Sequence, residues 1–138
     1  MAVEINIVYE GELRCKAQHG PSGVVLNTDA PVDNQGKGER FSPTDLVATA
    51  LGCCMTTIMD MVARRHGYPL DGSRIKVVKE MIQNPVRRIG QLTVDVHIAN
   101  SGRINDKDRK ILEQAAHTCP VWKSLNPEIK VPVTFHWE

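Results

Sequence analysis

Apolar and polar positions alternate at the start of the chain, with Val3, Ile5, Ile7 and Tyr9 set against Glu4, Asn6 and Val8. A period of two predicts a half-buried strand over 3–9. Glu10-Gly11 interrupts it, and Leu13-Arg14-Cys15-Lys16-Ala17 predicts a returning strand. His19-Gly20-Pro21-Ser22-Gly23 carries turn chemistry, after which Val24-Val25-Leu26 restarts an extended run. Together these make an N-terminal meander. From Asp29 to Arg40, Asp, Pro, Asn and Gly dominate, which predicts a loop.

The period then changes. Ser42-Pro43-Thr44-Asp45 sets a hydroxyl at the N-cap, a proline at the first helical position and an acid three residues after the cap. The apolar run ends at Arg64-Arg65-His66-Gly67, cations that suit the C-terminal end of the helix dipole followed by a glycine for the left-handed position. These signals predict one helix of about 24 residues, roughly 36 Å long. Leu46, Ala50, Cys53 and Thr57 share one side of it, and Val47, Leu51, Cys54, Ile58 and Val62 another. A helix apolar nearly all round is expected to be surrounded by protein. In a chain this small, that points to a partner subunit on the far side.

Further on, Arg74 to Lys79 and Leu92 to Ile98 predict strands separated by an Asn84-Pro85 turn. Asn105 caps a second helix with Asp106 and Asp108 in its first turn, and Ile111, Leu112, Ala115, Ala116 and Cys119 share one of its sides. Pro120 disfavours helical geometry at Cys119 and suits the start of a new turn. Lys130 to Trp137 predicts a closing strand, at a sheet edge because of Pro132. The order strands, long helix, strands, helix, strand predicts an α+β chain forming one domain over 1–138, without internal repeats.

Composition removes several function classes. The chain has 17 basic and 16 acidic residues and only 4% aromatics. It lacks the basic face and stacking platforms of a nucleic-acid binder and the charge that draws a protein to an anionic membrane. Leu46 to Ala63 carries a single charge, Asp60, but Gly52, Thr49, Thr56 and Thr57 dilute its hydrophobicity, so a protein-buried helix is expected rather than a membrane span. The N-terminus mixes charge into its apolar residues and predicts a strand, not a signal peptide. Four cysteines, at 15, 53, 54 and 119, in such a chain are expected to be kept reduced in the cytoplasm.

Each cysteine alone fits core packing. Cys54 lies mid-helix, where apolar burial raises a thiol pKa and a compensating donor or cation is needed. Cys119 precedes Pro120, and at an N-cap position backbone N–H groups would favour its thiolate. As a pair they fit a peroxidatic and a resolving thiol, since a sulfenic acid needs a nearby thiol with which to condense. Cys53 is about 100 degrees around the helix from Cys54, so both cannot face Cys119. Cys15, beside Arg14, fits packing. A zinc site from Cys54, Cys119 and a histidine is possible by ligand type, but its spacing matches no familiar pattern, and no metal or other cofactor is expected.

Ser42-Pro43-Thr44-Asp45-Leu46-Val47-Ala48-Thr49-Ala50-Leu51-Gly52-Cys53-Cys54 resembles the central-helix signature of the OsmC/Ohr family, the osmotically inducible and organic-hydroperoxide-resistance proteins. Cys119-Pro120-Val121-Trp122-Lys123-Ser124-Leu125 resembles that family's second signature, with matching order and a 65-residue separation of the cysteines. The resemblance implies an intertwined homodimer, with antiparallel-rich sheets wrapped around long central helices and thiol sites at the subunit interface. It also implies reduction of organic hydroperoxides in oxidative-stress defence. Cys54 would attack the peroxide, Cys119 would resolve the product as a disulfide, and an external dithiol would reopen it. Family peroxidases place a glutamate directly after the proline that opens this helix. Here that position is Thr44, and the capping acid Asp45 is one step on.

The family also brings an arginine from its N-terminal half to the thiolate, for which Arg14 and Arg40 are the candidates, with Glu39 placed to orient Arg40. His117 is a possible thiolate partner, though an ordinary outward-facing residue explains it as well, and the same two possibilities hold for His19. Leu51, Met55 and Ile58 would line a site for apolar hydroperoxides. The alternative is a binding protein that uses the same interfacial pocket for a small apolar or thiol-reactive ligand without efficient turnover. A stable dimer with inert buried cysteines is the third possibility.

Overall fold

The computed structural model describes all 138 residues, which divide into two compact units, Met1–Val47 and Ala48–Glu138. In the first, β1 (Ile5–Gly11), β2 (Arg14–His19) and β3 (Val25–Asp29) form an antiparallel sheet in that order. Glu12 and Leu13 close the first hairpin with φ of 54° and 64°, consecutive left-handed residues where Asn-Gly is the usual solution. Because Leu13 belongs to this turn, β2 begins at Arg14, one residue later than the pattern predicts.

The register sorts this sheet into two faces. Ile7, Ala17 and Leu26 lie in one row, Tyr9, Cys15 and Thr28 in the next, with Ile5 beside His19. The opposite face carries the rows Asn6, Gln18, Val25 and Val8, Lys16, Asn27. Contrary to the half-buried strand expected, β1 is exposed along nearly its whole length, with Ile5 56%, Ile7 65% and Tyr9 62% accessible. Alternation identifies the apolar face, which the first unit itself leaves exposed.

The loop after β3 folds tightly back on itself. A Cβ at Gly36 would stand 1.8 Å from the Ala30 carbonyl oxygen, so only glycine fits there. It leads to Ser42, whose side chain accepts from Asp45 N at 3.1 Å while Asp45 Oδ2 accepts from Ser42 N at 2.9 Å. This is the capping box predicted from the sequence. α1 (Pro43–Arg65) starts here and runs on into the second unit. Gly67, at φ 79°, follows its C-terminal end as expected.

The buried residues of α1 are Ala48, Leu51, Gly52, Met55, Met59 and Ala63, a stripe at helical spacing. Gly52 lets the helix approach β4 closely, since a Cβ there would lie 3.0 Å from Val77 and 3.3 Å from Ile75. The all-round burial expected of this helix is not found within one chain, because Ala50, Cys53, Thr57 and Met61 remain exposed. By length and composition α1 would also be apolar enough to cross a membrane.

In the second unit, β4 (Arg74–Ile82) pairs antiparallel with β5 (Arg88–Ile98), and β6 (Val133–Trp137) lies parallel to β5 at the edge that Pro132 predicts. Leu92, Val94, Val96 and Ile98 alternate into the core, while Thr93, Asp95 and His97 alternate out of it. Each large apolar side chain so buried contributes roughly 1.5–3 kcal/mol. α2 (Asp106–Ala116) is capped by Asn105, which accepts from Asp108 N at 2.8 Å, and α3 (Pro120–Ser124) follows it. The α+β class and the element order expected from the sequence are those observed.

Candidate functional site

The second unit brings the two candidate thiols together. Cys54 stands half-buried on α1, next to the buried stripe. Cys119 is positioned by the junction of α2 and α3. Leu112 and Ala116 bury one side of α2, the helix ends, and Pro120 holds Cys119 extended at φ −62° and ψ 137° as the N-cap of α3. Its sulfur accepts from Trp122 N at 3.3 Å, and it is completely buried. The Cys54 and Cys119 side chains are close enough to act on one another, both as free thiols.

Opposing effects act on the Cys119 proton. Burial pushes its pKa up and dominates, and the Cys54 side chain pushes the same way, whereas the backbone N–H groups of Trp122 and Val121 pull it down. The net direction is upward, so the N-cap position does not make Cys119 acidic. Desolvation of the sulfur outweighs the two N–H donors. Two neighbouring free thiols can in principle convert between dithiol and disulfide.

Other candidates take different places. Arg14, at the start of β2, pairs with Asp29 at 3.3 Å and also with Glu39. Glu39 therefore orients Arg14, not Arg40 as the sequence suggests, because the folded loop carries its side chain back toward β2. Asp29 is the residue that sequence reasoning missed. Its buried carboxylate accepts from Arg14 and from Glu39 N at 3.1 Å, and these N–H bonds, led by that of Glu39, hold its pKa below the ordinary value against the upward pull of burial. The available signal was the β2–β3 register, which sets Arg14 opposite Asp29. Arg14 Nε and Asp29 Oδ1 stay buried without partners.

The Thr44 hydroxyl lies 3.2 Å from that of Ser42, and Asp45 serves the capping box. His19 closes its turn through Ser22 at 2.6 Å. His117 Nδ1 donates to the Glu113 carbonyl at 2.8 Å while its ring packs against Trp122 at 4.6 Å. Both histidines are thus engaged in local structure and not with a thiol. No group of three or more His, Cys, Asp or Glu side chains is arranged to hold a metal ion.

Against this geometry, the family described as OsmC-like protein matches residues 36–134, which take in the long helix, both candidate thiols, β4 and β5. The chain belongs to the OsmC-like family. A crystal structure from Psychrobacter arcticus 273-4, of a protein classed with osmotic stress-induced and detoxification response proteins, shares 42% identity with this OsmC-like chain. It covers 96% of this chain and 94% of its own, with a TM-score of 0.89. At 16% identity, an organic hydroperoxide resistance protein OsmC from Legionella pneumophila has the same fold, with a TM-score of 0.78 over 99% of this chain and 97% of its own. OhrB of Bacillus subtilis does so too, at 17% identity and a TM-score of 0.69 over 98% of each chain. No curated protein matches.

Proposed function

We propose that this OsmC-like protein reduces organic hydroperoxides with Cys54 and Cys119 as its working pair. The observation that carries this is the contact of the two thiols, one half-buried and one fully buried, in a chain of this family. The Cys54 thiolate attacks the terminal peroxide oxygen, the O–O bond breaks, and protonation of the departing oxygen gives an alcohol and a Cys54 sulfenic acid. The Cys119 thiol then condenses with that acid, releasing water and forming the disulfide. A dithiol reductant restores both thiols and leaves as its own disulfide.

The active form in this proposal is a homodimer in the cytoplasm. The uncovered apolar face around Ile5, Ile7 and Tyr9 and the exposed Ala50, Cys53, Thr57 and Met61 of α1 support it, since surfaces of this kind call for a partner. The four cysteines, all free, accord with a reducing compartment. A second function, ligand binding without efficient turnover, is favoured by Thr44 standing where family peroxidases carry glutamate.

Mixing reduced protein with one equivalent of an organic hydroperoxide and counting free thiols separates the two. Rapid loss of two thiols in the wild type, with none lost in Cys54→Ser, supports the peroxidase. No loss in either protein rules it out and leaves the binding function.

A further inference from the structure

Given that reading of the pair as a catalytic disulfide, the geometry points to a single direction for its reopening: the reductant attacks Cys54, and Cys119 departs as the thiolate. Exchange at sulfur is an in-line displacement, in which the incoming thiolate, the attacked sulfur and the leaving sulfur lie close to one line. Attack on Cys119 requires approach from behind it, and Cys119 has no accessible surface at all. Attack on Cys54 requires approach from the side away from Cys119, and Cys54 is only partly buried.

The protein also holds a receiver for the departing charge. Trp122 N already donates to the Cys119 sulfur at 3.3 Å, and Val121 N adds a second favourable interaction. The electron pair of the broken S–S bond goes to Cys119, where these donors meet it before a proton arrives. The bond that forms joins Cys54 to the reductant sulfur. The reductant's second thiolate then attacks its own bonded sulfur, closes a cyclic disulfide and releases Cys54. Burial makes Cys119 a more basic leaving group than an ordinary thiol and so slows its departure. Access outweighs this, because a sulfur that cannot be approached in line cannot be attacked.

The test uses the whole wild-type chain. After oxidation with an organic hydroperoxide, Cys15 and Cys53 are blocked with N-ethylmaleimide. Glutathione, which cannot complete the second step, is added briefly, the mixture is quenched in acid, and the unfolded protein is labelled with iodoacetamide and mapped by mass spectrometry. Glutathione on Cys54 with label on Cys119 is expected in about tenfold excess or more over the reverse pattern. Equal or reversed labelling overturns the direction while leaving the disulfide chemistry intact. Absence of a Cys54–Cys119 disulfide before glutathione is added overturns the peroxidase proposal and this one with it.

Discussion

The Cys54 side chain lies close enough to that of Cys119 to act on its proton, although the two cysteines come from the middle of one helix and the cap of another. Cys54 adds to the rise in the Cys119 pKa that burial begins. Replacing Cys54 with Ala should therefore lower the pH at which Cys119 becomes a thiolate, while Cys53→Ala should leave it unchanged. Thiolate absorbance against pH, read in each protein as the difference from the same protein carrying Cys119→Ser, measures this. An upward movement in Cys54→Ala would contradict the sign of the coupling.

Ser42 is 1% exposed and holds both halves of the α1 capping box. Ser42→Ala should cost about 1 kcal/mol of stability. Ser42→Gly should cost only a few tenths. Urea denaturation of the two variants checks this, and no loss in Ser42→Ala would mean that the hydroxyl is not what stabilises the helix start.

Asp29 determines an acid-sensitive part of the first unit. Its folded pKa lies below the ordinary value of 3.8, chiefly through the Glu39 N–H with Arg14 adding to it, so the ionised form is the one that stabilises the fold. That contribution is complete above the unfolded value and is lost as pH falls from there through the folded value. Asp29→Asn should be less stable than wild type near neutrality, with the difference shrinking below about pH 4. Denaturation midpoints across that range test it, and a difference constant down to strong acid would remove Asp29 as the cause.

Ile7 sits in the centre of the uncovered apolar row, 65% exposed beside Ala17 and Leu26. If a second copy covers that face, wild-type protein should sediment at about twice the chain mass of 15.3 kDa. Ile7→Lys should shift it toward the monomer by placing a charge in the interface. A wild type that stays monomeric at micromolar concentration would dispose of the proposed dimer.

Local chemistry made much of this protein legible. Ser42-Pro43-Thr44-Asp45 and Asn105 with Asp108 form their caps where the sequence places them, because each cap joins residues three apart and needs nothing from the rest of the fold. The period of two along β1 and the edge position of β6 are equally local. The thiol motifs suggested a pair, but the contact between Cys54 and Cys119 depends on how α1, α2 and α3 pack in the second unit. The partner of Glu39 is likewise decided by a loop that folds back on β2, so sequence adjacency to Arg40 counted for nothing. The net rise of the Cys119 pKa also required the structure, since desolvation depends on every atom around the sulfur whereas the N-cap donors are given by the next three residues. Sequence by itself determined what hydrogen bonds within a turn can specify. Tertiary structure alone decided which distant side chains meet and how much water each one loses.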